Sequence, residues 1–220
     1  YRQALAKRHS DPLLELRLAS LAPVVFPSTS AAETFRTSSL AAWQRFATER
    51  IGKTSSAAAT ASLVEPPFEL QFLSGNLRPH REAFARIYEG RFPQAPLPPR
   101  PARPRIGFVV TRSHEGIFLK SMRGLLERFP SDQAELVVVC PRASVSQIRE
   151  AIERDIRFLP LPRPFEQIQD AIREAAFDVL YFWEIGTDST NYFIPFLRLA
   201  PVQCTAWGYQ ITSGIDNVDY

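Results

Sequence analysis

The sequence has few of the residues from which metal sites and disulfide frameworks are built. It contains two cysteines and three histidines in 220 residues, and the histidines, His9, His80 and His114, lie far apart along the chain. This spacing matches no local metal-binding motif, and we expect no metal ion. The two cysteines, Cys140 and Cys204, lie in apolar runs, which predicts buried free thiols and a reducing compartment.

Long apolar runs and glycine-rich phosphate motifs are missing as well. No apolar run reaches the roughly 20 residues that a membrane-spanning helix needs, and no signal peptide is visible, so we expect a cytoplasmic protein with no membrane partner. Neither GxGxxG nor the Walker pattern is present, so the sequence predicts no dinucleotide or nucleoside triphosphate site. The net charge of +3 comes without a dense Lys/Arg run, which argues against nucleic acid as a partner.

Proline, by contrast, is abundant, with nineteen residues against nine glycines, and it occurs in clusters. The densest cluster, PQAPLPPRPARP at residues 93–104, cannot form a helix or a central strand, because proline lacks the backbone N–H donor. We therefore predict an extended linker that separates a helical region, residues 1–92, from a second region, residues 105–220.

The helical region is predicted from apolar residues at helical spacing and from capping signals. Helices are expected from Pro12, which suits the first helical position, over residues 40–51 and over residues 78–92. His9 and His80 fall in this region, and we expect both to lie on the surface.

The second region alternates strand and helix patterns. Because apolar strands covered on both faces are typical of parallel sheets, we predict an α/β fold, a parallel sheet with helices on each side and right-handed crossovers. Strands are expected at residues 106–111, 135–140, 156–159, 178–183 and 202–206, and helices at residues 117–129, 145–154, 165–176 and 190–199.

The loops after the strands are where the sequence predicts a site, because ligands of open parallel sheets bind beyond the carboxyl ends of the strands. The first such loop places His114 directly before a helix, whose N-terminus favours a neutral imidazole that can accept a proton. The loop after the fourth strand carries Glu184, Thr187 and Asp188. The alternative is that His114 only caps its helix and that Glu184 and Asp188 are ordinary charges at a helix N-terminus.

The last part of the chain, residues 197–220, is its most informative stretch. The fifth strand there is followed by Gly208 and Tyr209, and then by Gln210 and Thr212. Glycine lets the backbone turn tightly or approach a ligand closely, and the polar side chains offer hydrogen-bond donors. We predict that these four residues bind a ligand; the alternative is an ordinary corner between a strand and a loop.

This stretch also resembles a known family. Its pattern, L-R-x-A-P-V-Q-x-x-x-x-G-Y-x-x-T-S-G-x-x-x-x-D-Y, follows an upstream R-I-G-F-V and a loop histidine. Together they are similar to the O-linked N-acetylglucosamine transferase family, which includes the SPINDLY-like group and is glycosyltransferase family 41. PPFELQF at residues 66–72 resembles the stretch before the family's catalytic region, so the resemblance covers residues 64–220 in outline.

The resemblance implies a GT-B fold, two Rossmann-like domains facing across a cleft, of which residues 105–220 would be the first. It implies transfer of N-acetylglucosamine from UDP-GlcNAc to Ser or Thr of proteins, with no metal or other cofactor. Tetratricopeptide repeats that hold the protein substrate commonly precede the family's catalytic region. His114 matches the family's active-site histidine, Gly208 and Tyr209 match its pocket loop, and Thr212 matches the end of that loop.

The chain also differs from the family pattern. Gln210 and Ile211 stand where the family usually has Pro and Gly, and Glu184 begins a strand-end segment that the family starts with Asn. A related branch transfers glucose to asparagine, so a GT-B enzyme with another donor, such as UDP-glucose, and a non-catalytic scaffold stay as alternatives. Residues 217–220 have a strand pattern at the chain end, and we expect a fragment that lacks the nucleotide-binding half and is inactive alone.

Overall fold

The computed structural model describes residues 12–49, 64–92, 94 and 96–220. These residues form two compact units, one comprising residues up to Phe92 together with Gln210–Ile215, the other Pro93–Tyr209 with Asp216–Tyr220. His9 and the low-complexity segment 52–62, which the sequence predicts to be a loop, lie outside the described residues.

The first unit is helical in its described part, and its helices follow the predicted positions with different ends. Apolar spacing predicts that the last of them runs on to residue 92, but it ends at Arg86 and is followed by a turn in which Gly90 has a left-handed φ of +70°. The elements are α1 (Pro12–Ala19), α2 (Thr29–Glu49), a 3-10 helix (Phe68–Phe72) and α3 (Arg78–Arg86).

Aromatic side chains form the centre of this unit. The rings of Trp43 and Phe84 meet edge to face with centroids 5.0 Å apart, and the Trp43 indole donates to Ser20 Oγ at 3.1 Å. His80 is only 4% exposed, and its Nε2 lies 2.9 Å from the carbonyl oxygen of Arg36. The prediction of a surface position for His80 is therefore wrong: the residue lies four positions before Phe84, on the same buried face of α3.

The second unit contains the predicted sheet, and the α/β fold class is confirmed. Five parallel strands lie in the order β3-β2-β1-β4-β5, so that Phe108 of the central strand is opposite Val138 on one side and Tyr181 on the other. The strands are β1 (Arg105–Val109), β2 (Glu135–Pro141), β3 (Arg157–Leu161), β4 (Val179–Phe182) and β5 (Val202–Thr205).

Burial on both faces explains the continuous apolar runs of the inner strands. Residues 136–140 of β2 are all buried, as expected for a strand covered by helices on both faces. Gly107 of β1 is needed for this covering, because a Cβ there would lie 2.8 Å from the Phe177 ring and 2.9 Å from Leu180. Cys140 is free and buried, and burial raises the pKa of its thiol to about 12; Cys204 is free and half-buried.

The helices of this unit are α4 (Glu115–Arg128), α5 (Val145–Ala151), α6 (Phe165–Glu174) and α7 (Ser189–Phe193), with short 3-10 helices at Arg142–Ser144 and Ile194–Leu197. The helix predicted over residues 190–199 is shorter than expected, because Pro195 cannot continue the α-helical bonding and Arg198 adopts a left-handed φ of +48°. No helix within the described ranges is both long enough and apolar enough to cross a membrane.

The strand expected at the chain end is not formed. Asp219 donates its backbone N–H to the Gln203 carbonyl at 2.7 Å, and the Tyr220 carbonyl accepts from Thr205 at 2.8 Å. These two bonds lie beside β5 without the regular pairing of a strand, so the prediction of a strand over 217–220 is wrong.

Candidate functional site

The strand order brings three of the predicted loops to neighbouring positions. β4 lies between β1 and β5, and parallel strands end at the same edge of a sheet. The loops that follow β1, β4 and β5 therefore start side by side at the carboxyl edge, where α/β proteins bind ligands. In this structure the loops hold His114, Glu184 and Gly208 respectively.

His114 and Glu184 form a close pair. The Nδ1 atom of His114 lies 2.5 Å from Oε1 of Glu184, across 70 positions of sequence. The carboxylate is 4% exposed, whereas the imidazole is 34% exposed. Because a carboxylate only accepts hydrogen bonds, Nδ1 carries a proton, and in the neutral imidazole Nε2 then has a lone pair that can accept one. The pair thus has the arrangement of a general base with an orienting carboxylate.

The loop that carries His114 is fixed by its neighbours. His114 is the N-cap residue of α4, but its side chain makes no capping bond, so it is free for the carboxylate. Glu115 accepts from the backbone N–H of Ser113 at 3.2 Å and from Ser144 Oγ. Burial alone would raise the pKa of Glu115, but these hydrogen bonds outweigh it and lower that pKa below its ordinary value. The loop is thereby tied to the segment after β2.

The loop after β4 divides its predicted residues between two roles. Asp188 caps α7 by accepting from the Asn191 backbone N–H at 2.9 Å, and burial raises the pKa of its carboxyl. The alternative role as a helix-terminal charge therefore fits Asp188 and not Glu184. The Thr187 hydroxyl is buried and has no hydrogen-bond partner among the described residues, so it has bonding capacity that this structure leaves unused.

Gly208 is needed for packing at the end of β5. A Cβ on this residue would lie 2.6 Å from the Trp183 carbonyl oxygen and 2.8 Å from its indole. The Trp183 and Trp207 rings meet at 5.4 Å in an edge-to-face arrangement, and Tyr209 is 4% exposed. The close approach that the glycine permits is thus to the residue directly before Glu184, and ligand binding by Gly208 and Tyr209 stays a prediction.

Gln210 and Thr212 belong to the first unit, unlike the other predicted site residues. Both side chains are exposed. The Thr212 carbonyl accepts from Nε of Arg81, which is fully buried in α3, at 3.0 Å. Gly214 follows with a φ of +70° and lies directly against the Arg81 backbone. Segment 210–215 is therefore held to α3 by its backbone, and a ligand role for its side chains stays a prediction.

Other residues of the family-like motif have structural roles. Gln203 of β5 is fully buried, and its side-chain amide makes three hydrogen bonds. Its Nε2 donates to the carbonyl oxygens of Pro195 and Asn217 at 2.9 Å each, and its Oε1 accepts from the Leu199 backbone N–H at 3.2 Å. One side chain thus satisfies three backbone groups, two of them in buried hydrogen bonds.

Arg198 and Asp219 complete this network. Arg198 donates to Oδ1 of Asp219 at 2.9 Å and to the carbonyl of Asn217 at 2.9 Å. Oδ2 of Asp219 accepts from the Gln203 backbone N–H at 2.9 Å. The arginine, glutamine and aspartate of the motif therefore hold the chain end beside β5.

We expect the Asp219 contacts to make stability depend on pH. Burial would raise the pKa of Asp219, but the Gln203 N–H and Arg198 outweigh it and lower that pKa. A depressed folded-state pKa contributes stability above the ordinary value of about 4, and this is lost as the pH falls through the folded value. Asp219→Asn should therefore lower the free energy of unfolding at pH 7 by about 1 kcal/mol or less for so exposed a pair, seen as a lower urea midpoint. In acid it should have little effect.

The control for this prediction is Asp132→Asn, a change at an exposed turn position of the same unit. Urea midpoints of the three proteins at neutral and acidic pH provide the measurement. A gap between wild type and Asp219→Asn that stays constant over the whole pH range would contradict the assignment.

Sequence reasoning missed three arginines at the same edge of the sheet. Arg112, Arg142 and Arg163 come one to three positions after the last residues of β1, β2 and β3, and they line one cavity of about 830 Å³. The rule that ligands bind beyond strand ends could have found them, but arginine is common in this chain and each one stands alone in sequence. Within the described ranges, no group of three or more His, Cys, Asp or Glu side chains could hold a metal ion.

Comparison with solved structures shows a relative of this fold. The chain is similar to a structure of a mutant O-GlcNAc transferase from Thermobaculum terrenum, with a TM-score of 0.53 and 20% sequence identity. The alignment covers all of this chain and 41% of that one, so the chain spans less than half of the neighbour's length. At this identity the similarity shows the fold alone, which agrees with the parallel α/β sheet described above. No family model and no curated protein matches the chain.

Proposed function

We propose that this chain is the first Rossmann-like half of a GT-B glycosyltransferase that transfers N-acetylglucosamine from UDP-GlcNAc to Ser or Thr hydroxyls of proteins. The pairing of His114 with Glu184 carries the proposal, because it supplies a proton acceptor at the ligand-binding edge of the sheet. The fold similarity to an O-GlcNAc transferase and the motif at residues 197–220 support the choice of reaction. We further propose that the protein acts in the cytoplasm.

In the proposed reaction the acceptor hydroxyl attacks the anomeric carbon of the donor while UDP departs. The hydroxyl proton moves to Nε2 of His114, and the imidazolium that forms is stabilised by the carboxylate of Glu184 on its other nitrogen. The alternative role for His114 is to donate a hydrogen bond that orients the sugar. In both cases catalysis depends on positioning and charge stabilisation and uses no covalent intermediate.

The sugar itself would be contacted by the loops after β4 and β5. Thr187 has a buried hydroxyl without a partner in the described part of the chain, which suits a group that bonds to a substrate. Gly208 and Tyr209 are proposed to line the rest of the sugar pocket on the sheet unit, and ligand binding by Gln210 and Thr212 is a separate proposal for the helical unit. The nucleotide would be held mainly by a second Rossmann-like half outside this chain, with basic groups and a helix N-terminus at the diphosphate.

A donor panel tests the proposal on the full natural protein. We expect transfer of labelled sugar from UDP-GlcNAc to a protein acceptor, without added metal, and saturable binding of the same donor by calorimetry. Preferential transfer from UDP-glucose would show that the proposed donor is wrong and that the proposed enzyme class, a glycosyltransferase, is right. Absence of both binding and transfer with every UDP-sugar would overturn the proposal in favour of a scaffold.

A further inference from the structure

The cavity at the ends of β1, β2 and β3 has a concentrated positive charge. Arg112, Arg142 and Arg163 all line it, and all three side chains are exposed to it or to solvent. Among the residues that the structure describes, none of the three guanidinium groups has an ion-pair or hydrogen-bond partner. The whole chain has 26 basic and 23 acidic residues, so three unneutralised arginines around one cavity are a local excess.

The one carboxylate in the cavity wall does not offset this charge. Asp188 accepts the Asn191 backbone N–H at 2.9 Å and thereby caps α7. Asn191 in turn donates through its side chain to Thr111 Oγ1, which fixes the wall. Three like charges around one space repel each other, and an anion bound between them would remove that repulsion.

The rest of the wall is part polar and part apolar: Ser189 and Thr190 add hydroxyl groups at the start of α7, and the other residues are apolar or proline. Pro141 and Pro162 lie at the ends of β2 and β3, directly before Arg142 and Arg163, and restrict the backbone at these two arginines. The volume of about 830 Å³ lies within the range of small-molecule sites and exceeds the space that a single inorganic ion needs. The apolar and proline residues of the wall are Val110, Pro141, Ala143, Leu161, Pro162 and Ile168.

We propose that this cavity binds a small molecule that carries a phosphate or diphosphate group, held by Arg112, Arg142 and Arg163. Guanidinium groups match phosphate oxygens through paired N–H donors, and the apolar wall accommodates the body of the ligand. The site is separate from the pair of His114 and Glu184, neither of which lines the cavity. The inference does not depend on sugar transfer.

The proposal is tested by isothermal titration calorimetry, in which pyrophosphate is added to the full chain at low salt. We expect saturable binding with one site, weakened by added NaCl because exposed charges are screened. The double variant Arg142→Gln/Arg163→Gln should weaken binding by about tenfold or more, which corresponds to the loss of charge-assisted hydrogen bonds. Arg112→Gln alone should produce a smaller loss.

The matched control removes the same charge elsewhere. Lys120→Gln/Arg128→Gln changes two exposed residues of α4 and should leave pyrophosphate affinity within about twofold, since net charge alone acts weakly at a distance. Equal weakening in both double variants, or no binding at about 10 mM pyrophosphate, would overturn the proposal. Malonate binding as tight as pyrophosphate would overturn the assignment to phosphate.

Discussion

His114→Ala should lower kcat/KM for sugar transfer by about a hundredfold or more in the full natural protein, the range that loss of a general base produces. The side chain makes no capping bond to α4, so the helix itself should be little affected. The change leaves the buried carboxylate of Glu184 without its 2.5 Å partner, and some loss of stability is expected for this reason.

His114→Asn separates chemistry from stability. The asparagine amide nitrogen can occupy the place of Nδ1 and donate to Glu184, but the side chain has no equivalent of Nε2. We therefore expect His114→Asn to keep more of the thermal stability than His114→Ala and to lose as much transfer activity. Wild-type rates in either variant would remove His114 from the reaction.

Glu184→Gln tests the carboxylate with the shape preserved. Glutamine still accepts a hydrogen bond from Nδ1 but carries no charge to stabilise an imidazolium. Because a charge-assisted hydrogen bond is replaced by a neutral one, we expect kcat to fall by about tenfold. KM should change little, because the pair acts in the transition state. Lys120→Ala on the exposed face of α4 serves as the control and should behave as wild type.

Gly214→Ala should be the most destabilising of the small substitutions in the first unit. Its φ of +70° is unfavourable for alanine, and the new Cβ would lie 2.4 Å from the carbonyl carbon of Arg81 and 2.6 Å from its oxygen. Because these are backbone atoms of a helix, they cannot move aside as a flexible side chain can. We expect the free energy of unfolding to fall by about 3 kcal/mol or more, because the strained φ and the steric overlap both destabilise the folded state.

Gly90→Ala is the matched control for this prediction. Gly90 has the same φ of +70°, belongs to the same unit, and has no atom within 4 Å of an added Cβ. Gly90→Ala should lower the free energy of unfolding by only about 1 kcal/mol, because only the unfavourable backbone conformation contributes there. Urea midpoints and hydrogen exchange of α3 amides provide the measurement. Equal losses at the two positions would show that contact with Arg81 contributes nothing.

The candidate site was predictable in its positions but not in its contacts. His114 and Glu184 were found because each follows a predicted strand, and the rule for parallel sheets directs attention there. Their pairing depends on β1 and β4 being neighbours, which periodicity along the chain does not reveal. Gln210 and Thr212 follow β5 in the same way, yet segment 210–215 belongs to the helical unit. Strand-end reasoning could not show this, because Arg81 lies about 130 residues away.

The fold class and the positions of the five sheet strands could be predicted from the sequence alone, because apolar runs and helical spacing are local properties that burial imposes on each segment. The tertiary structure decided which strands are neighbours, and with that the partner of His114, the cavity of three arginines and the structural use of Gln203 and Asp219. Each of these depends on atoms far apart in the chain, and a hydrogen bond or a cavity exists only once folding has fixed their separation.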